Sequence, residues 1–273
     1  MSVNRSTDGR YVLATGDEAE RRLELVDAVH GRDTASLLER AGVGPGLRVA
    51  DFGCGIGVVS CAIAELVEPA GEVIGIDISP EQIAVAERRS RDRRLANLRF
   101  ITGSLEEPGL EPGSCDIVYA RFLLMHLQNP RDAIRRMASL LTPTGRLVIE
   151  DGDFSAPYCI PLASAFDRCF ELYRGAVSAM GGNPRIGPDL PMMVMDEGFS
   201  WCAVSVVQPT LREGEAKRLP EWTMLEARET LVHAGLAIDS EIDAIAVEME
   251  RLALDSTTKF GMAEMTQVCA TRR

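Results

Sequence analysis

The sequence predicts an α/β fold: a mostly parallel sheet with an antiparallel last strand, N-terminal helices and an inserted helical lid. Three observations predict it. Leu47 to Phe52 is an apolar strand that runs through Gly53-Cys54-Gly55-Ile56-Gly57 into a helix of small and apolar residues, Val58 to Val67. Short apolar strands then alternate with amphipathic helices as far as Asp153, the pattern of βαβ units. After Asp153 the alternation gives way to longer helical stretches.

In chain order, Tyr11-Val12-Leu13 precedes a helix expected from Asp17, with Glu20 completing a capping box. Gly31 is read as its stop, and a second short helix follows over Asp33 to Arg40. After the glycine turn come a strand at Glu72 to Ile78 and a helix capped by Ser79, with Pro80 in its first turn and Gln82 closing the box. Further strands are expected at Leu98 to Thr102, Cys115 to Ala120 and Arg146 to Glu150, with a helix from Pro130 to Leu141 between the last two. Beyond Asp153, helices are expected at Pro161 to Met180, Leu190 to Glu197, Pro220 to Ala234 and Asp239 to Leu252, and strands at Trp201 to Gln208 and Met262 to Thr271. The whole reads as a single domain over 1–273: a helical cover (1–45), a core (46–153), lid insertions (154–197 and 212–256) and closing strands (198–211 and 257–273).

Composition narrows the function classes. A net charge of −12 argues against nucleic-acid or anionic-membrane partners, which need clustered cations. The one basic run, Arg88 to Arg94, closes an expected helix and reads as a solvated end that suits the dipole. Seven cysteines without a C-x-x-C pair read as reduced thiols in a cytoplasmic protein. The polar start, Met1 to Arg10, lacks the apolar core of a signal peptide, and no apolar run approaches the roughly 20 residues of a membrane span. Three scattered histidines give no metal cluster, so no metal is expected.

Glycines 53, 55 and 57 let a ligand approach the backbone with no Cβ in the way, and the helix that follows offers free N–H groups. The dinucleotide fingerprint wants its third glycine where Val58 stands. Asp51, two residues before the first glycine, would repel a pyrophosphate but suits a ligand bearing an ammonium or sulfonium cation. Asp77 ends the second strand, where a carboxylate can accept from two ribose hydroxyls, and Ile78 beside it can lie against an adenine.

These motifs, in this order, resemble the class I S-adenosylmethionine-dependent methyltransferases, whose fold is Rossmann-like. The residues that carry the resemblance are Asp51 to Gly57, Asp77, Gly103-Ser104-Leu105, Asp116 to Arg121 and Leu141 to Leu147. It implies S-adenosyl-L-methionine as cofactor. Gly53 and Gly55, with Cys54 between them, would lie against its methionine part, Asp51 would orient its ammonium, and the Arg121 backbone would flank its amino-acid end. Asp77 would hold the ribose, and Ile78 and Leu105 would sandwich the adenine. Ser104 stands after Gly103 where family members often carry an Asp that accepts from the adenine amino group. Tyr11 is a further candidate contact, set against a packing role.

The Leu123-Leu124-Met125-His126 stretch and the lid are similar to bacterial enzymes acting on small molecules, often in natural-product or quinone pathways. The resemblance implies transfer of a sulfonium methyl to an O, N or C nucleophile of a small-molecule acceptor. His126 is the candidate base, since imidazole titrates near neutrality; the alternative is a packed histidine. Asp151 and Asp153 are candidates to orient a substrate, or turn caps. Tyr158 and Tyr173 are candidate lid contacts, and the methionines of 191–195 read better as a buried lid helix than as a substrate site. His30 and His233 fall on expected helices away from the motifs. An NAD-dependent oxidoreductase and a non-enzymatic cofactor-binding member of the fold are the alternatives. Apolar lid helices allow a homodimer.

Overall fold

The computed structural model describes Leu13 and residues 17–272. Ten strands are formed among them: β1 (Arg48–Phe52), β2 (Glu72–Asp77), β3 (Leu98–Thr102), β4 (Cys115–Arg121), β5 (Leu141–Asp153), β6 (Tyr158–Ile160), β7 (Phe199–Val207), β8 (Thr210–Leu211), β9 (Lys259–Gly261) and β10 (Glu264–Arg272). Seven make one sheet in the order β3-β2-β1-β4-β5-β10-β7. The pairs from β3 to β5 are parallel, whereas β10 runs antiparallel to both β5 and β7. This is the expected sheet with its antiparallel last strand.

Helices α2 (Val58–Val67), α3 (Pro80–Arg93) and α4 (Pro130–Ser139) make the crossovers. Ser79 caps α3 by accepting from the Gln82 N–H at 3.2 Å. The arginines that close α3 are tied down by acids: Arg89 reaches Glu24 at 3.0 Å and Arg93 reaches Glu65 at 2.7 Å. The chain reverses direction across the sheet between β1 and β4. The carboxyl ends of β1, β2 and β4 therefore flank a crevice, the usual ligand position in open α/β sheets.

The two expected N-terminal helices are one. α1 (Asp17–Arg40) continues through Gly31. Tertiary bonds outweigh the roughly 1 kcal/mol that a mid-helix glycine costs. Thr34 donates to Glu150 at 2.6 Å, and Gln267 Nε2 donates to the Asp33 carbonyl at 3.1 Å, pinning the second half of the helix to β5 and β10. Glu20 pairs with Arg88 at 3.1 Å.

The late segments hold α5 (Ser164–Ala179), α6 (Leu190–Asp196), α7 (Leu219–Glu226), α8 (Arg228–His233) and α9 (Asp239–Leu254). α5, α7 and α9 pack together, and α1 leans on α7. α6 packs instead against β7 and β10, so the methionine-rich segment belongs to the main sheet rather than to the lid. The stretch expected as one helix from Pro220 to Ala234 is broken between α7 and α8. A small second sheet, β6-β9-β8, was not expected; its strands are two or three residues long, too short to show a period.

Candidate active site

The crevice is the mouth of a cavity of ≈ 540 Å³ that extends from the carboxyl edge of the sheet to the lid. Its sheet side is built by the glycine turn, Asp51, Asp77, Ile78, and Gly103 to Leu105. Gly53, Gly55 and Gly57 all have positive φ (+69°, +52° and +73°), the left-handed region that glycine enters without strain. A Cβ on Gly57 would stand 2.8 Å from the Phe100 ring and 2.9 Å from Ala86, so the turn needs glycine there on both counts.

Asp77 accepts from the N–H of Gly55 at 2.9 Å and of Ser79 at 3.0 Å. Burial pushes its carboxyl upward, while the N–H groups of Ser79, Gly55 and Ile78 pull it back. Ile78 is 60% exposed, an apolar shelf at the cavity wall. Asp51 is buried and accepts from the Ser60 hydroxyl at 2.5 Å; burial raises it to about 7. Ser104 turns its oxygen onto its own turn, accepting from the N–H of Glu106 at 3.2 Å and of Glu107 at 3.3 Å. The Arg121 guanidinium is committed to Asp27 at 3.2 Å and Thr34 at 3.1 Å.

These residues fit an adenosyl sulfonium. Asp77 offers two oxygens, Ile78 and Leu105 offer apolar faces, and Gly53 and Gly55 open the backbone to the ligand. Asp77 would hold the ribose, and Asp51 would face the ammonium. Cys54, Gly103, Ser104 and Arg121 also line the cavity. Tyr11 lies outside the described residues.

The other half of the cavity is apolar. Phe122, Phe154, Phe170, Tyr173, Leu219, Pro220, Thr223 and Met262 line it. His30, Phe122, Phe154 and Tyr173 form a run of rings, with centroids 5.2, 6.0 and 4.9 Å apart in turn. Phe122 sits at φ +51°, strained for a residue with a Cβ, and its N–H donates to the Glu150 carbonyl at 3.0 Å. Behind it the fully buried Glu150 takes hydrogen bonds from Thr34, Tyr119 and Gln267, a knot that holds α1, β4, β5 and β10 together under the site.

His126 lines the cavity, and burial, then the Arg22 charge, lowers it to about 4, so its imidazole is neutral at pH 7. Asp151 does not reach the cavity. It is fully buried and clamps backbone, accepting from the N–H of Met125 at 3.0 Å and of Gly152 at 2.8 Å. The catalytic expectation for Asp151 is corrected accordingly: its carboxylate spends both oxygens on shaping the loop that carries His126. Asp153 caps its own turn through Ser155 at 2.8 Å. Tyr173 is a lid contact of the cavity, whereas Tyr158 bonds Thr210 at 3.0 Å away from it. Among the described residues no group of three metal-ligating side chains is gathered.

Sequence reasoning missed Arg22 and His30, both on the cavity wall. His30 had been placed away from the motifs. It is buried, edge-on to Phe122, and held neutral by burial, which lowers it to about 3. The spacing of Arg22, Val26 and His30, one face of a helix at intervals of four, was the available signal.

A Rossmann-like sheet with this cradle at its carboxyl edge defines the class I S-adenosylmethionine-dependent methyltransferases. Residues 44–185 match the family model described as a methyltransferase domain, and the chain belongs to that family. A demonstrably similar curated protein is the ubiquinone/menaquinone biosynthesis C-methyltransferase UbiE of Ectopseudomonas mendocina, 34% identical over 48% of this chain and 50% of its own. An uncharacterized 37.1 kDa protein in transposon TN4556 of Streptomyces fradiae is 29% identical over 79% of this chain and 61% of its own. The chain thus spans between half and two thirds of these two relatives' lengths. Among solved structures, the YcgJ protein of Bacillus subtilis superposes with a TM-score of 0.61 at 18% identity, over 89% of this chain and 99% of that one. None of these three similarities points to an oxidoreductase. No described helix is long and apolar enough to cross a membrane.

Proposed function

We propose that the chain transfers the methyl group of S-adenosyl-L-methionine to an oxygen, nitrogen or carbon of a small, largely apolar molecule, in secondary metabolism or a quinone-like pathway. The observation that carries this is the continuity of one cavity from Asp77 and Ile78 to the aromatic wall of Phe122, Phe154 and Tyr173. The similarity to UbiE over half its length supports a quinone-like acceptor. The cofactor supplies an electrophilic methyl on a positive sulfur, so the chain's own residues chiefly position and desolvate the acceptor. His126, neutral on the cavity wall, would take the proton from an acceptor hydroxyl or amine. The net charge of −12 supports a small acceptor over nucleic acid, and free thiols suit a cytoplasmic setting. A homodimer remains part of this reading, tested by sedimentation.

The test is a calorimetric titration with S-adenosylhomocysteine against NADH, followed by radiolabelled methyl transfer to hydroquinones, phenols and amines. Binding of the first ligand alone, with label reaching an acceptor, is the expected result. Binding of NADH instead would sink the proposal. Tight S-adenosylhomocysteine binding without transfer to any acceptor would favour a non-enzymatic role.

A further inference from the structure

Arg22 is a buried cation on the cavity wall that the cofactor contacts assigned above do not use. Its side chain is 5% exposed, and its Nε donates to Glu226 on α7 at 2.6 Å. Its Nη2 is buried and has no hydrogen-bond partner. Guanidinium carries five donors, and an unsatisfied buried donor on a charged group is costly, so such a group calls for an acceptor from elsewhere. The residue forms part of the cavity wall beside His126, and its charge, after burial, is what depresses that imidazole. The other two cavity arginines are committed, Arg121 to Asp27 and Thr34, and Arg136 to Asp132 at 2.7 Å.

The surroundings define what the acceptor looks like. Every lining residue from Phe154 onward is uncharged, and the lid acid that does meet Arg22, Glu226, takes its Nε from outside the cavity lining. The ring run from His30 to Tyr173 presents flat apolar surface, which favours a planar skeleton. A carboxylate is ionised at neutral pH without help from the protein, whereas a phenol is not.

We propose that Arg22 anchors a carboxylate on the methyl acceptor, which makes that acceptor a planar, ring-bearing or conjugated acid. This rests on the methyl-transfer reading above. The guanidinium supplies a charge-assisted hydrogen bond from Nη2 while Glu226 holds its Nε, and the rings take the apolar body. Arg22 is a binding residue here, selecting the acceptor and setting which atom faces the methyl group.

The test titrates 2-naphthoate and its neutral isostere 2-naphthamide into the protein, with and without S-adenosylhomocysteine. Wild type is expected to prefer the carboxylate by about tenfold or more, the effect of one charge-assisted hydrogen bond at a buried site. Arg22→Gln, which can still bond Glu226, should remove that preference with little change in S-adenosylhomocysteine affinity. Glu226→Gln breaks the ion pair but keeps the guanidinium, and should retain the preference. Equal affinity for the two probes, no binding of the carboxylate, or a preference that survives Arg22→Gln overturns the proposal. Loss of the preference in both variants also overturns it, since the pair is then only a strut between α1 and α7. Absence of S-adenosylhomocysteine binding sinks the methyl-transfer reading separately, because the naphthoate ratio is still read on the free protein.

Discussion

Asp77 and Gly55 are joined by a 2.9 Å hydrogen bond from the glycine N–H to the carboxylate, so the end of β2 fixes the turn that follows β1. The second carboxylate oxygen takes the N–H of Ser79 at 3.0 Å, the residue that caps α3. One side chain thus sets the spacing between the backbone that would face the methionine part and the shelf that would face the adenine. Asp77→Asn removes the charge and one acceptor. It is expected to weaken S-adenosylhomocysteine binding by about 1.5–3 kcal/mol, the usual worth of hydrogen bonds to charged groups, in calorimetric titration.

Local chemistry made this part of the site legible. The Asp51 to Gly57 turn, the Ser79 cap and the acid at a strand end are short-range patterns whose geometry follows from a few adjacent residues. What the sequence did not disclose depends on partners far along the chain. α1 runs on past Gly31 because Thr34 meets Glu150, 116 positions later. Arg22 enters the cavity because Glu226, 204 positions away, holds it there. Asp151 has the composition of a catalytic acid at a strand end, and only the placement of the Met125 and Gly152 N–H groups shows it turned inward.

That burial has a pH signature. Burial raises the Asp151 carboxyl to about 7, well above its unfolded value of 3.8. The folded state then binds more protons than the unfolded one between about pH 4 and 7, so the contribution is full below pH 4 and is lost as pH rises through 7. The slope approaches 1.4 kcal/mol per pH unit within that window. In urea unfolding, the difference in stability between wild type and Asp151→Asn should therefore shift steadily in favour of the variant from pH 4 to 7. A constant difference would show that Asp151 is ionised in the fold.

His126 leads to a separate expectation for activity. Its imidazole is lowered to about 4 by burial and the nearby Arg22 charge, so the base form is available throughout the neutral range. If it takes the acceptor's proton, the acid limb of kcat should lie at about pH 4 rather than at the ordinary histidine value. His126→Gln should lower kcat by about 10²–10⁴-fold while leaving S-adenosylhomocysteine affinity nearly unchanged. An acceptor methylated at carbon from a preformed enolate would show a much smaller loss, which separates the nucleophile classes.

The aromatic wall depends on Gly152. A Cβ there would lie 2.7 Å from the Phe154 ring and 3.2 Å from that of Phe122, and both rings line the acceptor half of the cavity. Phe122 has little room to yield, since it already sits at φ +51° with its N–H tied to Glu150. Phe154 packs on Tyr173 with centroids 4.9 Å apart, so its displacement is passed to the lid. Gly152→Ala should cost about 1–3 kcal/mol of stability, the range for overpacking a buried site. The cofactor cradle at Asp77 and Ile78 is built by other elements, so S-adenosylhomocysteine affinity should hold while the acceptor KM rises. Equal losses at both ligands would mean that the two halves of the cavity are mechanically one, and the aromatic wall would then be part of the cofactor site.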